Sequence, residues 1–157
     1  MATFSELYRR HFPERRERLF LSSAGFFLTF AIVRGITHAI RAGVGPFHDV
    51  VRGGLHIHHL VWGVLLLLLV GYLWLAQVGT AGSGWASRLP SLAYGVAAAL
   101  TLDEFAIWLF LDPNVYWERQ GRDSVDAVVL FGALLTVGLW GGPFLRGVYR
   151  ELMARRA

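Results

Sequence analysis

His56-Ile57-His58-His59-Leu60-Val61-Trp62-Gly63-Val64-Leu65-Leu66-Leu67-Leu68-Leu69-Val70 decides the fold class. Three histidines open a run that is then almost purely aliphatic. A segment of about 20 apolar residues is what a helix needs to cross a bilayer core. The rest of the 157-residue chain agrees with that reading: 55% of its residues are hydrophobic and the mean hydropathy is +0.47. This is too apolar for an ordinary soluble domain and places the chain in the membrane class.

Four segments are long and apolar enough to qualify: about 19–42, 56–78, 89–111 and 124–145. The predicted fold is therefore an all-α integral membrane protein, a four-transmembrane-helix bundle forming one membrane domain over 1–157, located in the cell membrane. No cleavable signal peptide is expected, because the first apolar run follows an arginine-rich stretch and is long enough to span. All 15 basic residues are arginine. Arg9, Arg10, Arg15, Arg16, Arg18, Arg88, Arg146, Arg150, Arg155 and Arg156 fall on one side of such a bundle. The positive-inside rule then puts both tails, 1–18 and 146–157, in the cytoplasm. Topology accounts for the basic balance, so no nucleic-acid partner is expected. The absence of cysteine excludes disulfides, thiolate catalysis, iron–sulfur clusters and Cys-type zinc sites.

A chain this apolar has to account for each ionisable group it carries into hydrocarbon, where one charge at mid-span costs about 2.5–3.5 kcal/mol. At 1.5 Å per residue, Arg34, Asp103 and Glu104 lie roughly 4–5 Å to the outer side of the midplane. His38 lies roughly 10 Å out, and His59 and Asp126 roughly 12–13 Å out. His56 and His58 reach the outer boundary. The intramembrane charges are thus one-sided and predict a pocket in the outer half, either as one site or as an outer His/Asp layer above an Arg/Asp/Glu layer. The phase of the His56–His59 segment stays open: His56 and His59 share a face if the helix includes them, His56 and His58 if that stretch is extended.

Imidazole and carboxylate are ligands for Zn, Fe or Mn. The expected metal set is His38, His56, His58, His59, Glu104 and Asp126. Asp103 and Glu104 are assigned as general acid/base and Arg34 as their cationic partner. His48 reads as an interfacial side chain, Tyr116 and Trp117 as part of an aromatic belt, and Asp123 or Ser124 as a helix N-cap. The expected function is a metalloenzyme, hydrolase or oxidase, acting on a lipid or amphiphile that enters from the bilayer. The residue types are similar in outline to those of membrane metallohydrolases of the ceramidase and adiponectin-receptor kind, which pair intramembrane His and Asp on seven spans. The alternatives are a proton or metal-ion transporter using the same groups, and a haem protein with His38 and His59 as axial ligands. Either could involve a homo-oligomer.

Overall fold

The computed structural model describes residues 6, 14–78, 80, 84–136 and 142–154. Arg9, Arg10, Arg155, Arg156 and positions 137–141 of the fourth predicted span lie outside them. The described residues form six α-helices and one short hairpin: α1 (Glu14–Ala42), β1 (Val51–Arg52), β2 (Leu55–His56), α2 (His59–Leu75), α3 (Trp85–Leu102), α4 (Phe105–Phe110), α5 (Arg122–Thr136) and α6 (Gly142–Ala154). Two 3₁₀ turns, Pro113–Trp117 and Arg119–Gly121, link α4 to α5. The all-α class expected from composition is therefore correct. One helix among the described residues, over Arg16–Ala42, is long and apolar enough to cross a membrane, and α2 is a shorter apolar helix.

Two boundaries depart from the sequence reading. The second apolar segment becomes helical only at His59. Ahead of it, Val51 pairs with His56 and Arg52 with Leu55. Gly53 and Gly54 take positive φ at the turn, the two-residue hairpin geometry that glycine makes cheap. The third segment breaks at Asp103-Glu104, where Glu104 leaves helical geometry (φ −105°, ψ 21°). Of the fourth segment, Arg122–Thr136 is helical, and a helix is described again from Gly142. Proline suits a first helical turn and disfavours helix in the residue before it.

Helix α3 is the hub, packing most extensively on α1 and next on α2. Small residues make these approaches close. A Cβ on Gly25 would come within 2.7 Å of the Leu92 carbonyl, and one on Gly95 would collide with the Ser22 carbonyl. A Cβ on Gly63 would stand 2.6 Å from Thr101 Oγ1. Ser22 Oγ donates across the α1–α3 seam to the Ser91 carbonyl (2.7 Å). Such small-residue seams are how helices pack where no hydrophobic effect separates one apolar surface from another. The core joins Phe26, Ala98, Ala99, Val128 and Leu135 from α1, α3 and α5. Glu17 and Arg88 pair at the opposite end of the same seam (3.0 Å).

Candidate acid–base site at the break between α3 and α4

The break at Asp103-Glu104 turns two carboxylates off the helix, and both are buried. Irregular backbone inside an apolar bundle is tolerated where it lines a protein-enclosed site. The amides it frees find partners. Ser124, fully buried at the start of α5, accepts from the Ala106 N–H (2.8 Å). That corrects its expected role as an N-cap of its own helix. Ile107 N–H returns to the Glu104 carbonyl (3.0 Å).

Glu104 reaches the start of α2. Its Oε2 accepts from the Leu60 N–H (2.9 Å) and its Oε1 lies 2.7 Å from His58 Nδ1. His58 itself supplies no side-chain cap to α2, so the carboxylate from the neighbouring segment takes that place. A negative group at a helix N-terminus satisfies an orphan donor and favours the helix dipole. In the neutral tautomer that donates from Nδ1 to Glu104, Nε2 of His58 carries the lone pair. The ring is half-buried and stacks on His56 (centroids 4.6 Å apart, planes 4° from parallel). Thus the extended phase of the His56–His58 stretch is the one adopted, and the Gly53-Gly54 hairpin imposes it.

Asp103 faces the other way. Arg34 Nε donates to its Oδ1, and Tyr116 OH donates to its Oδ2 (2.8 Å). The Arg34 guanidinium also lies 4.5 Å from the Tyr116 ring centroid, a cation–π distance. Thr37 Oγ1 sits 3.5 Å from the phenol oxygen. Burial, and then the Asp103 charge, push the Tyr116 phenol well above its ordinary value, so it remains a donor. Gly121 permits the turn that delivers Tyr116: a Cβ there would collide with the Tyr116 carbonyl.

His59 stands between the carboxylates. Its Nε2 lies 3.1 Å from Asp103 Oδ2 and its Nδ1 lies 3.7 Å from Glu104 Oε1. The first distance is within ion-pair range, yet Nε2 has no hydrogen-bond partner, the one such buried side-chain atom among the described residues. Distance and directionality are separate requirements, so we read that nitrogen as close to Asp103 but not bonded to it. His58, His59, Arg34, Asp103 and Glu104 therefore meet in one cluster. Of the two arrangements the sequence left open, these five residues form one cluster, because the break lets both carboxylates approach the first turn of α2.

The other expected ligands stand apart. His38 is exposed; its Nδ1 is 2.8 Å from the Arg34 carbonyl and its ring packs edge-on against Trp117. The exposed ring of His56 has Nε2 3.8 Å from the Asp49 carboxylate. Asp126 is 60% exposed and lies beside Arg122 (3.9 Å), one turn back on α5. It faces away from the histidines, because α5 presents Ser124, not Asp126, to the bundle. Among the described residues no three His, Asp or Glu side chains are arranged as a metal-ligand group. Tyr116 and Thr37 were not legible as site residues. The available signal was a tyrosine three residues after Pro113, in the turn following the carboxylate segment, and it reads equally well as an interfacial aromatic.

The cluster can do two things chemically. A histidine held by a carboxylate at Nδ1 presents Nε2 as a base or a ligand. A carboxylate fixed by Arg34 and Tyr116 is a stationary negative charge that stabilises a cation beside it. No family model matches this chain, and neither a curated protein nor a solved structure is detectably similar to it.

Proposed function

We propose that this chain is a multi-pass membrane enzyme, a four-span bundle with both termini cytoplasmic, that acts on a lipid or amphiphile from the His58–His59–Asp103–Glu104 cluster in the outer half of the bilayer. The observation that carries the reading is the His58–Glu104 pair at 2.7 Å. Its buried carboxylate orients the imidazole and leaves Nε2 turned from it. Such a pair is the general base of hydrolytic chemistry, and it lies beside the fixed Asp103 anion. The orphaned Nε2 of His59, near Asp103, is where a divalent transition metal (Zn, Fe or Mn) would bind. Two ligands held about 2.0–2.1 Å from a tetrahedral zinc stand about 3.3 Å apart, close to the 3.1 Å separation here. The metal would supply Lewis acidity to water or to a substrate oxygen. With only two donors placed, substrate, water or a moved carboxylate completes the set.

Support for four spans comes from the arginine asymmetry and from the aliphatic side chains α2 leaves uncovered, including Val61, Leu65, Leu68 and Leu69. The third span is α3 and α4 in series. Metal analysis of detergent-purified protein tests the assignment. Zinc, iron or manganese near one equivalent, lost in His59→Ala with helicity unchanged, is the expected result. A metal-free protein that moves protons across liposomes overturns it in favour of transport, and a strong Soret band in favour of haem. The transport reading has one specific support, the succession of ring nitrogens and carboxylates from His58 to Tyr116. Below Asp103 that succession stops: Thr101 Oγ1 donates back to the Ala97 carbonyl (2.9 Å).

A further inference from the structure

Helix α6 carries an apolar face that the described residues leave largely uncovered. It spans Gly142–Ala154 and takes part in none of the main helix pairs that build the bundle. At 100° per residue, Leu145, Val148, Tyr149 and Leu152 fall on one arc about 100° wide, the width of a buried face. Yet Leu145 is 66% exposed, Tyr149 60% and Leu152 56%. Arg146 and Arg150 lie one turn apart along the edge of the opposite face. Arg155 and Arg156 follow in the sequence, against a single carboxylate, Glu151.

We propose that α6 is an interfacial helix that binds anionic phospholipid on the inner leaflet. Leu145, Val148, Tyr149 and Leu152 enter the boundary between headgroups and acyl chains, and Arg146 and Arg150 engage the phosphates. The inference rests on the four-span reading, which puts this end of the chain on the cytoplasmic side. The polar face argues against a span: Arg146, Arg150 and Glu151 would all have to enter hydrocarbon. Charge argues for lipid over a protein partner. The apolar stripe is bordered by arginine, the arrangement that an anionic surface completes. Pro143 suits the first turn of α6.

The full-length chain has no cysteine, so one introduced thiol gives one labelling site. Leu152→Cys on the apolar face and Gly147→Cys on the polar face would each carry an environment-sensitive fluorophore. The protein would be held in nanodiscs of phosphatidylcholine, with or without phosphatidylglycerol. The expected result is a label at 152 quenched by nitroxide-labelled lipid and shielded from a water-soluble quencher, with the reverse at 147. Phosphatidylglycerol should strengthen that contrast and salt should weaken it. Arg146→Gln and Arg150→Gln should each lower the docked-to-undocked ratio roughly fivefold, the equivalent of ~1 kcal/mol per arginine. Equal behaviour at 147 and 152 overturns the proposal. So does a label at 152 shielded from both quenchers, which assigns the face to protein, and so does a contrast indifferent to phosphatidylglycerol. A label on α2 through Leu68→Cys, at a side chain 66% exposed, reports on the four-span reading itself. Its failure to be quenched by nitroxide lipid would sink that reading whatever α6 does.

Discussion

The α1–α3 seam and the cluster at the first turn of α2 are both places where helices meet closely, and they do so by opposite means. Along the seam the side chains are small, and Gly25, Gly95, Ser22 and Ser91 let backbones touch. At the cluster the side chains are long and ionisable, and Arg34, His58, His59, Asp103, Glu104 and Tyr116 meet through their polar tips. Along the seam, close backbone approach with a serine hydrogen bond and one ion pair at its end is enough to join the helices. Two adjacent buried carboxylates, one held by Arg34 and the other by His58 and the Leu60 N–H, are more than a register lock requires. That excess is the physical reason to look for chemistry at the cluster and architecture at the seam.

The sharpest way to break this contrast is to remove the cluster's fixed anion. Asp103→Ala strands Arg34 beside an apolar core and should lower stability by roughly 3–5 kcal/mol, read by thermal unfolding in detergent. Asp103→Asn, which keeps an acceptor for Tyr116, should lose less. If Asp103→Ala unfolded like the parent protein, the cluster would be no more than a decorated surface. Next is the seam. Gly95→Ala drives a Cβ into the Ser22 carbonyl and should cost about 1–3 kcal/mol while leaving metal content unchanged; a loss of metal there would merge the two regions.

Glu104→Gln should separate positioning from folding. Glutamine can still accept from Leu60 N–H, so stability should hold, whereas His58, now facing an amide N–H, should switch ring tautomer and lose the free Nε2, read by nitrogen NMR of the imidazole. Tyr116→Phe removes one donor to Asp103 and should cost about 1 kcal/mol. Its proton also carries a pH signature. The raised phenol stays protonated in the folded protein where the unfolded chain has begun to release it, so its contribution is intact below pH of about 10. It is lost as pH climbs toward the folded value. Unfolding measured from pH 9 upward should therefore show a shallower alkaline decline in Tyr116→Phe than in the parent. The smallest effect belongs to Asp126→Asn, which should change neither metal content nor melting, because that carboxylate is largely in solvent beside Arg122.

Much of the fold could be read from the chain because hydrophobic length is a strong signal. Helix α1 ends at Ala42 as expected, and α2 lies within the predicted 56–78. What the apolar pattern concealed was the break. Leu100 to Leu111 remains greasy on both sides of Asp103-Glu104, and no glycine or proline marks an interruption. The depth argument found Arg34, Asp103, Glu104 and His59 because burial cost depends only on position along a span. It also placed Asp126 and His38 in the pocket, whereas Asp126 is exposed beside Arg122 and His38 turns to Trp117. The apolar pattern leaves the phase of the His56–His59 stretch open. The Gly53-Gly54 turn carried the correct answer in a two-residue signature.

The break at Asp103-Glu104 also bears on how the protein is made. On the four-span reading, the third segment reaches the insertion machinery with two adjacent carboxylates, at roughly 2.5–3.5 kcal/mol each. Their stabilising partners, Arg34 and the His58-His59 pair, lie in segments synthesised earlier. The third span should therefore insert poorly when presented alone and efficiently behind the first two, with Arg34→Leu removing part of that help. A glycosylation-mapping assay would register the difference. The residues assigned to chemistry would then also act as an assembly checkpoint, admitting the third helix only to a membrane that already holds its partners.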